Sequence, residues 1–414
     1  MNATVLLIAS LAFLSAYSYF IYPLVLLVAR KTPLAARKAP FGSRNSRGKH
    51  SRTTLADREA STVRPGGIVA ELEEDVPFEP RISLLITAHN EQDRIRTKIE
   101  NSFKLDYPPD RLEIIVASDA STDDTESIVE SYPGLKLVRV TQRKGKEHAQ
   151  KHGILHSTGE ILVFTDVATL LDKDALRLLA DNFRDPAVGA LSSEDRMINE
   201  DGTPSGEGLY VRYEMLLRRL ESDVRGLVGL SGSFFAARRS VCKEWAENLP
   251  SDFNTVMNCV RLGYRAVSDD KVIGYYKDIK SGQSEFNRKV RTLVRGITAF
   301  FANLELLDFR RYGFFSFQLF SHKLMRWLAP VFMILLLPAT LLGIARGDRT
   351  AYAAASLQAA FYGLALVGYA SAGTQGSPLI KVPFFFTQVN VAILAAWLKY
   401  LRGERITMWT PSKR

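Results

Sequence analysis

The chain has 414 residues, two cysteines and a net charge of +10. Its mean hydropathy of −0.03 averages strongly apolar stretches near both ends with a charged middle. Cys242 and Cys259 match no metal spacing and no disulfide framework, which excludes a zinc module or a disulfide scaffold and reads as reduced cytosolic thiols. The charge excess is local: from Arg30 to Arg64 ten Lys/Arg face only Asp57 and Glu59. That run follows an apolar segment and holds no aromatic but Phe41, so it suits anionic lipid rather than nucleic acid.

Residues 4–29 carry no charge, and about 20 apolar residues cross a bilayer, so 1–30 is expected to be a transmembrane helix. Its length, and the lack of a basic start and a small-residue cleavage site, argue against a signal peptide. The basic cluster after it places the downstream chain in the cytosol and the N-terminus outside. Residues 31–79 read as a basic flexible linker, rich in Pro, Gly and Ser.

From residue 80 the texture changes. ISLLIT (82–87), LEIIVAS (112–118), 135–140 and 160–165 are short apolar runs of the kind that form buried parallel strands. Helical stretches at 93–104, 123–131, 146–157 and 172–184 separate and follow them. Alternation of this kind predicts a doubly wound α/β sheet over 80–304. The aromatic- and Arg-rich stretch 305–324 is expected to lie amphipathically at a membrane interface. Segments within 325–400 are apolar and long enough to span, and 401–414 is a basic tail. Three spans after a cytosolic domain would put that tail outside, against the positive-inside rule. Pro383, Gln388 and Asn390 mark the last segment as one that could be re-entrant or interfacial.

Open α/β sheets bind ligands beyond the carboxyl ends of their strands. Polar clusters sit at four such ends: ITAHNE (86–91), SDASTDDT (118–125), RKGKEHAQ (143–150) and FTDVATLLD (164–172), where Asp166 is expected one residue past its strand. Their convergence on one crevice outweighs the reading of Asp119 and Ser121 as helix caps.

These clusters, followed in order by GEGLYVRYE (206–214), SGSFFAARRS (231–240), SDFNTVMNCVRLGYRAV (251–267), EFNRKVR (285–291) and SHKLMRW (321–327), resemble the inverting family 2 glycosyltransferases of GT-A fold. The resemblance covers residues 80–300 and extends weakly to the flanking segments. It is strongest to a bacterial, membrane-bound, cellulose-synthase-like branch. It implies a sugar transfer from a UDP-sugar donor to a lipid-linked or glycan acceptor, at the inner face of a bacterial plasma membrane. Membrane lipid and other polysaccharide-assembly or export proteins are the further partners it implies, and nucleic acid is not one.

The resemblance also assigns roles. Thr87, His89, Glu91 and Asp119 would line the nucleoside pocket with Lys146 nearby. Asp166 matches the first acid of the motif whose Mg²⁺ or Mn²⁺ bridges the donor diphosphate, because a hard cation on carboxylate oxygen stabilises that leaving group. Ala168 stands where the family carries a second ligand, which shifts diphosphate neutralisation toward Arg288 and Arg291. Asp252 matches the general base that takes the acceptor hydroxyl's proton. Glu194, Asp195, Ser231 and Gly232 would lie on the acceptor side.

His148, His152 and His156 share a helix face and read as packing rather than as a metal stripe. Phe286-Asn287-Arg288-Lys289 lacks the tryptophan of the Gln-x-x-Arg-Trp motif in processive synthases, which favours a short product. Ala168 keeps one alternative in view, a nucleotide-binding partner subunit without activity; a processive synthase is the other.

Overall fold

The structure is a computed structural model that describes residues 3–32, 78–198, 209–277 and 282–406. Most of the expected linker and the last eight residues of the expected tail lie outside these.

Helix α1 (Ala3–Ala29) is the N-terminal apolar helix. It loosens to a π turn at Tyr17–Ile21, directly ahead of Pro23. Proline lacks the N–H that an α-helical register would use there. The α/β domain then runs β1 (Ile82–Ala88), α2 (Gln92–Phe103), β2 (Leu112–Ser118), α3 (Thr125–Glu130), β3 (Leu135–Arg139), α4 (Lys146–Leu155) and β4 (Ile161–Asp166). After these come β5 (Leu170–Leu171), α5 (Ala175–Asn182), β6 (Val188–Ile198), α6 (Leu209–Val224), β7 (Phe234–Arg238), α7 (Ser251–Arg261), β8 (Arg265–Lys277) and α8 (Gly282–Phe301).

The eight strands form one sheet in the order β3-β2-β1-β4-β7-β6-β8-β5. The four strands read from sequence are its parallel half. The other half is mixed, with β7 antiparallel to both β4 and β6 and β8 parallel to β6. Asp166 is the last residue of β4 rather than the first beyond it.

Strand side chains alternate between two cores, as period two requires. Leu84, Ile86, Val116, Val163 and Phe234 pack under α2 and α5. Leu85, Ile115, Phe164 and Phe235 face the opposite core with Val256 and Met257 of α7. That second core continues without a break through Val294, Ile297 and Phe300 of α8 into the apolar helices, so the domain and its C-terminal helices share one interior.

Those helices are α9 (Phe314–Ala345), α10 (Arg349–Ala370) and α11 (Pro378–Leu401). With α1 they are the four described helices long and apolar enough to cross a membrane. Helix α9 runs through the expected boundary at 324/325, and the segment expected at an interface is partly its first turns. His322 and Arg326 are buried inside the protein instead of lying along a surface. The N-terminal end of α1 meets the far end of α9, where Arg346 donates to Thr4 Oγ1 at 2.7 Å. The other end of α1, through Tyr22 and Leu26, packs on Leu217 and Leu220 of α6. At the close of α11, Trp397 Nε1 donates to the Trp327 carbonyl at 2.8 Å, Tyr400 stacks on Phe301 and Ile406 packs on the domain core. The end of the described chain therefore lies on the same side of the apolar helices as the α/β domain.

Candidate functional site

The carboxyl ends of β1, β2 and β4 carry the expected clusters, and the backbone there is unusual. Asn90 and Ala120, just past β1 and β2, both adopt φ +52°, a conformation that costs a non-glycine residue about 1 kcal/mol or more. The Asn90 side chain accepts from the Thr122 N–H at 2.8 Å, and His89 Nδ1 lies 2.7 Å from the Asp119 carbonyl. Two neighbouring loops are thereby locked together. Thr87 Oγ1, buried near the end of β1, has no hydrogen-bond partner among the described residues.

Asp119 is fully buried, and its two oxygens accept from the backbone N–H groups of Lys144 (3.0 Å) and Gly145 (2.9 Å). It fixes the turn that starts α4, where Gly145 has φ +109°. Lys146 projects from that turn. The Lys146 ammonium donates to Asp166 Oδ1 and, at 2.7 Å, to the Gly232 carbonyl. A backbone bond from Asp166 N to Ser233 O at 3.0 Å ties the end of β4 to the loop before β7.

One cavity of about 470 Å³ gathers most of the expected residues. Glu91, Lys146, Asp166, Arg288 and Arg291 line it from the expected donor set, and Asp195, Gly232 and Asp252 from the others. Thr87, His89 and Asp119 lie behind the lining. Ser231 stands back as well, donating to both Asp195 oxygens at 2.7 Å. Glu194 is turned to Arg219, 2.8 Å away, and does not line the cavity. Arg288 holds Glu285 through two bonds of 2.8 Å. Among the described residues no hydrogen bond or ion pair engages the Asp252 side chain. His148 and His152 of α4 and His156 just after it do not line the cavity, and His148 is paired to Glu247.

Glycine opens space beside Asp252. A Cβ on Gly232 would sit 3.3 Å from Asp252 Oδ2. Gly232→Ala is expected to leave nucleotide affinity within about twofold while lowering turnover with acceptor at least about tenfold, a split that titration calorimetry and kinetics resolve.

Sequence reasoning missed Lys98. It is fully buried, and its ammonium donates to Thr165 Oγ1 at 3.0 Å and to the Thr169 carbonyl, bracing the loop that holds Asp166. Burial lowers its pKa to about 7, against the pull of Asp166. The signal was available: Lys98 lies on the Ile95–Ile99–Ser102 stripe of α2, where a solvated helix face has no reason to be.

Burial likewise raises Glu91 to about 7, with Arg94 opposing and Asp166 reinforcing the shift. The folded protein then holds this proton more tightly than the unfolded chain. The linked stability is complete below the ordinary glutamate range and is lost as pH rises through about 7. Glu91→Gln is expected to raise Tm at pH 8 by a few degrees and to leave it unchanged at pH 5, as thermal melts across pH would show.

For a divalent cation the residues offer little beyond Asp166. The described residues contain no cluster of three metal-ligating side chains. Ala168 has no side-chain oxygen, and the Asp166 carboxylate already meets an ammonium. A preformed protein cage is not built here. Of the carboxylates that line the cavity, Asp166 is the one at the end of β4, where substrate phosphate oxygens would complete the shell of Mg²⁺ or Mn²⁺.

Strand order, and acids with cations at the strand ends, define a GT-A-like α/β domain joined to apolar helices. Residues 83–245 match the model of glycosyl transferase family 2, and the domain belongs to that family. The probable glycosyltransferase YdaM of Bacillus subtilis (strain 168) is 30% identical over 201 residues, which are 45% of this chain and 48% of that protein. Beta-monoglucosyldiacylglycerol synthase of Synechocystis sp. (strain ATCC 27184 / PCC 6803 / Kazusa) is 34% identical over 175 residues, 40% of this chain and 36% of its own. The chain thus spans about half or less of the length of these curated relatives. In fold, it is similar to the mannosyltransferase PcManGT from Pyrobaculum calidifontis, solved in complex with GDP-Man and Mn²⁺. The TM-score is 0.68 at 22% identity, covering 97% of this chain and all of that one.

Proposed function

We propose that the protein is a membrane-bound inverting glycosyltransferase, moving a sugar from a nucleoside-diphosphate donor, a UDP-sugar by our reading, to a lipid-linked or glycan acceptor. The observation that carries this is Asp252. Its carboxylate has no partner among the described residues, yet it shares one cavity with the Lys146–Asp166 pair. A base must be free to accept a proton, and a leaving diphosphate must find positive charge; the two requirements meet in one space.

In this mechanism the acceptor hydroxyl attacks the anomeric carbon from the side opposite the nucleotide. Asp252 takes its proton as the new bond forms. Lys146, Arg288 and Arg291 meet the negative charge that grows on the diphosphate. Asp166 is the residue that would hold Mg²⁺ or Mn²⁺, which would neutralise the same diphosphate when bound. The solved complex of PcManGT with GDP-Man and Mn²⁺ supports this class of donor and metal, and the name of the Synechocystis relative supports a lipid acceptor.

The catalytic domain would face the cytosol of a bacterium at its plasma membrane. Basic residues on the domain's side of the apolar helices support that reading: Arg30 and Lys31 follow α1, and Lys399, Arg402 and Arg405 stand at the close of α11. The same geometry favours an interfacial course for α11 rather than a fourth full crossing. Ala168 favours one alternative, a nucleotide-binding subunit without activity. UDP release from UDP-sugars, by the purified chain with bacterial lipid extract and Mg²⁺ or Mn²⁺, separates the two. Release with formation of an inverted glycoside is expected; nucleotide binding without release from any donor would leave only the subunit.

A further inference from the structure

Glu147 follows Lys146 directly in the first turn of α4, and its side chain is buried. The two neighbours reach different elements. Lys146 meets the end of β4 and the loop before β7. The Glu147 carboxylate meets the start of α7 and the middle of α8: its Oε1 accepts from the Ser251 N–H at 3.3 Å and from the Arg295 guanidinium. The backbone behind it is fixed as well. Its carbonyl accepts from Trp245 Nε1 at 3.0 Å, and the Trp245 ring stacks on Phe164, two residues before Asp166. Glu147, Ser251 and Arg295 all line the cavity.

Each bond answers a local need. Ser251 opens α7, and the first N–H groups of a helix have no partner within it. The residue before it is Pro250, whose side chain offers no cap. A carboxylate arriving from another element fills that place and suits the positive end of the helix dipole. Arg295 stands four residues after Arg291 and seven after Arg288, so the three share a face of α8. Burial, with the charges of Arg295 and Arg288, lowers the pKa of Arg291. Glu147 offsets the last charge of that row, and the guanidinium in turn orients the carboxylate. Asp252 is the next residue after Ser251, and its carbonyl accepts from the Leu230 N–H at 3.1 Å. The backbone that carries the base is thus pinned from two sides.

We propose that Glu147 is a positioning residue that sets where Asp252 stands relative to Lys146, with Arg295 holding the Glu147 carboxylate in place. This rests on the transferase reading above and adds the residue that fixes the spacing between the proton acceptor and the cations facing the diphosphate. Adjacent residues of one helical turn then serve the two sides of the transfer. Lys146 meets the leaving group, and Glu147 places the base. Spacing of this kind matters, because a shift of about 1 Å can cost about 10²-fold in rate.

The test uses the full chain in lipid nanodiscs, with UDP release from UDP-sugars and bacterial lipid extract, UDP affinity, and amide hydrogen exchange as readouts. Glu147→Ala is expected to lower kcat at least about 30-fold and to leave UDP affinity within about threefold. Glu147→Gln keeps an oxygen that can accept both bonds and should stay within about fivefold of the parent kcat. Adding Glu147→Ala to Asp252→Asn should cost less than about threefold more, since no base remains to be placed. Arg295→Met should match Glu147→Ala, and the two together should lose little beyond either. Exchange at the Ser251 amide should quicken at least about tenfold in Glu147→Ala while the rest of α7 stays within about threefold. If Glu147→Ala fails to fold, shown by lost UDP binding, Arg295→Met carries the same expectations. Full additivity with Asp252→Asn, equal losses of kcat and UDP affinity, or unchanged exchange at Ser251 overturns the proposal. No UDP release by the parent chain, with exchange at Ser251 responding as expected, would sink the transferase reading and the placement of its base, while the link from Glu147 to Ser251 stood.

Discussion

Asp252→Asn is expected to lower turnover by about 10³-fold while donor affinity stays within about threefold. The asparagine keeps the shape of the side chain and the helix start at Ser251, so the fold has no reason to change. What disappears is the ability to take a proton. Because no neighbouring cation engages this carboxylate among the described residues, its removal also leaves no buried charge stranded, and the expected loss is confined to kcat. Measuring UDP release and UDP affinity on the same preparation checks the split. A drop in both together would place Asp252 in donor binding and take the base away from the mechanism.

The second large effect is expected at Lys146. Lys146→Met should lower kcat/KM for the donor about 10²-fold, a loss near 2.7 kcal/mol. The ammonium bonds both Asp166 and the Gly232 carbonyl, so one substitution removes the counter-charge facing the Asp166 carboxylate and loosens the loop beside Asp252. Asp166→Asn is expected to cost a similar factor. The ammonium and the carboxylate form one unit, so the double variant should lose little more than either alone, as coupled partners do. Full additivity in that cycle would show that Lys146 and Asp166 act on the donor separately.

The same pair accounts for Asp119, whose position after β2 and small neighbours have the look of a nucleoside-binding loop. The structure gives both its oxygens to the N–H groups of residues 144 and 145. Those bonds support the turn from which Lys146 projects. Asp119→Asn should therefore weaken donor use through Lys146, in parallel with Lys146→Met.

Much of the parallel half-sheet is readable from order alone. The runs 82–87, 112–118, 135–140 and 160–165 form β1 to β4 within a residue or two, because a strand buried on both faces needs an unbroken apolar run. Strands β6, β7 and β8 are not legible in this way. They pair with segments remote in sequence, β6 with β8 and β7 with β4, and part of β6 and β8 is polar and half-buried, so no local pattern marks them.

The order of the amino acids by itself determined the alternating elements, the four apolar helices and the acids and cations at strand ends, since these follow from periodicity, composition and short-range backbone preference. Only the folded chain decided which charges meet. Lys146 finds Asp166 across 20 residues and His322 finds Glu221 across 101, and it is closure of these long loops around a shared core that turns Lys98 inward, Glu194 away and Lys323 toward the cavity. Pairings of that range depend on the packing of the whole interior, and no window of the sequence contains it.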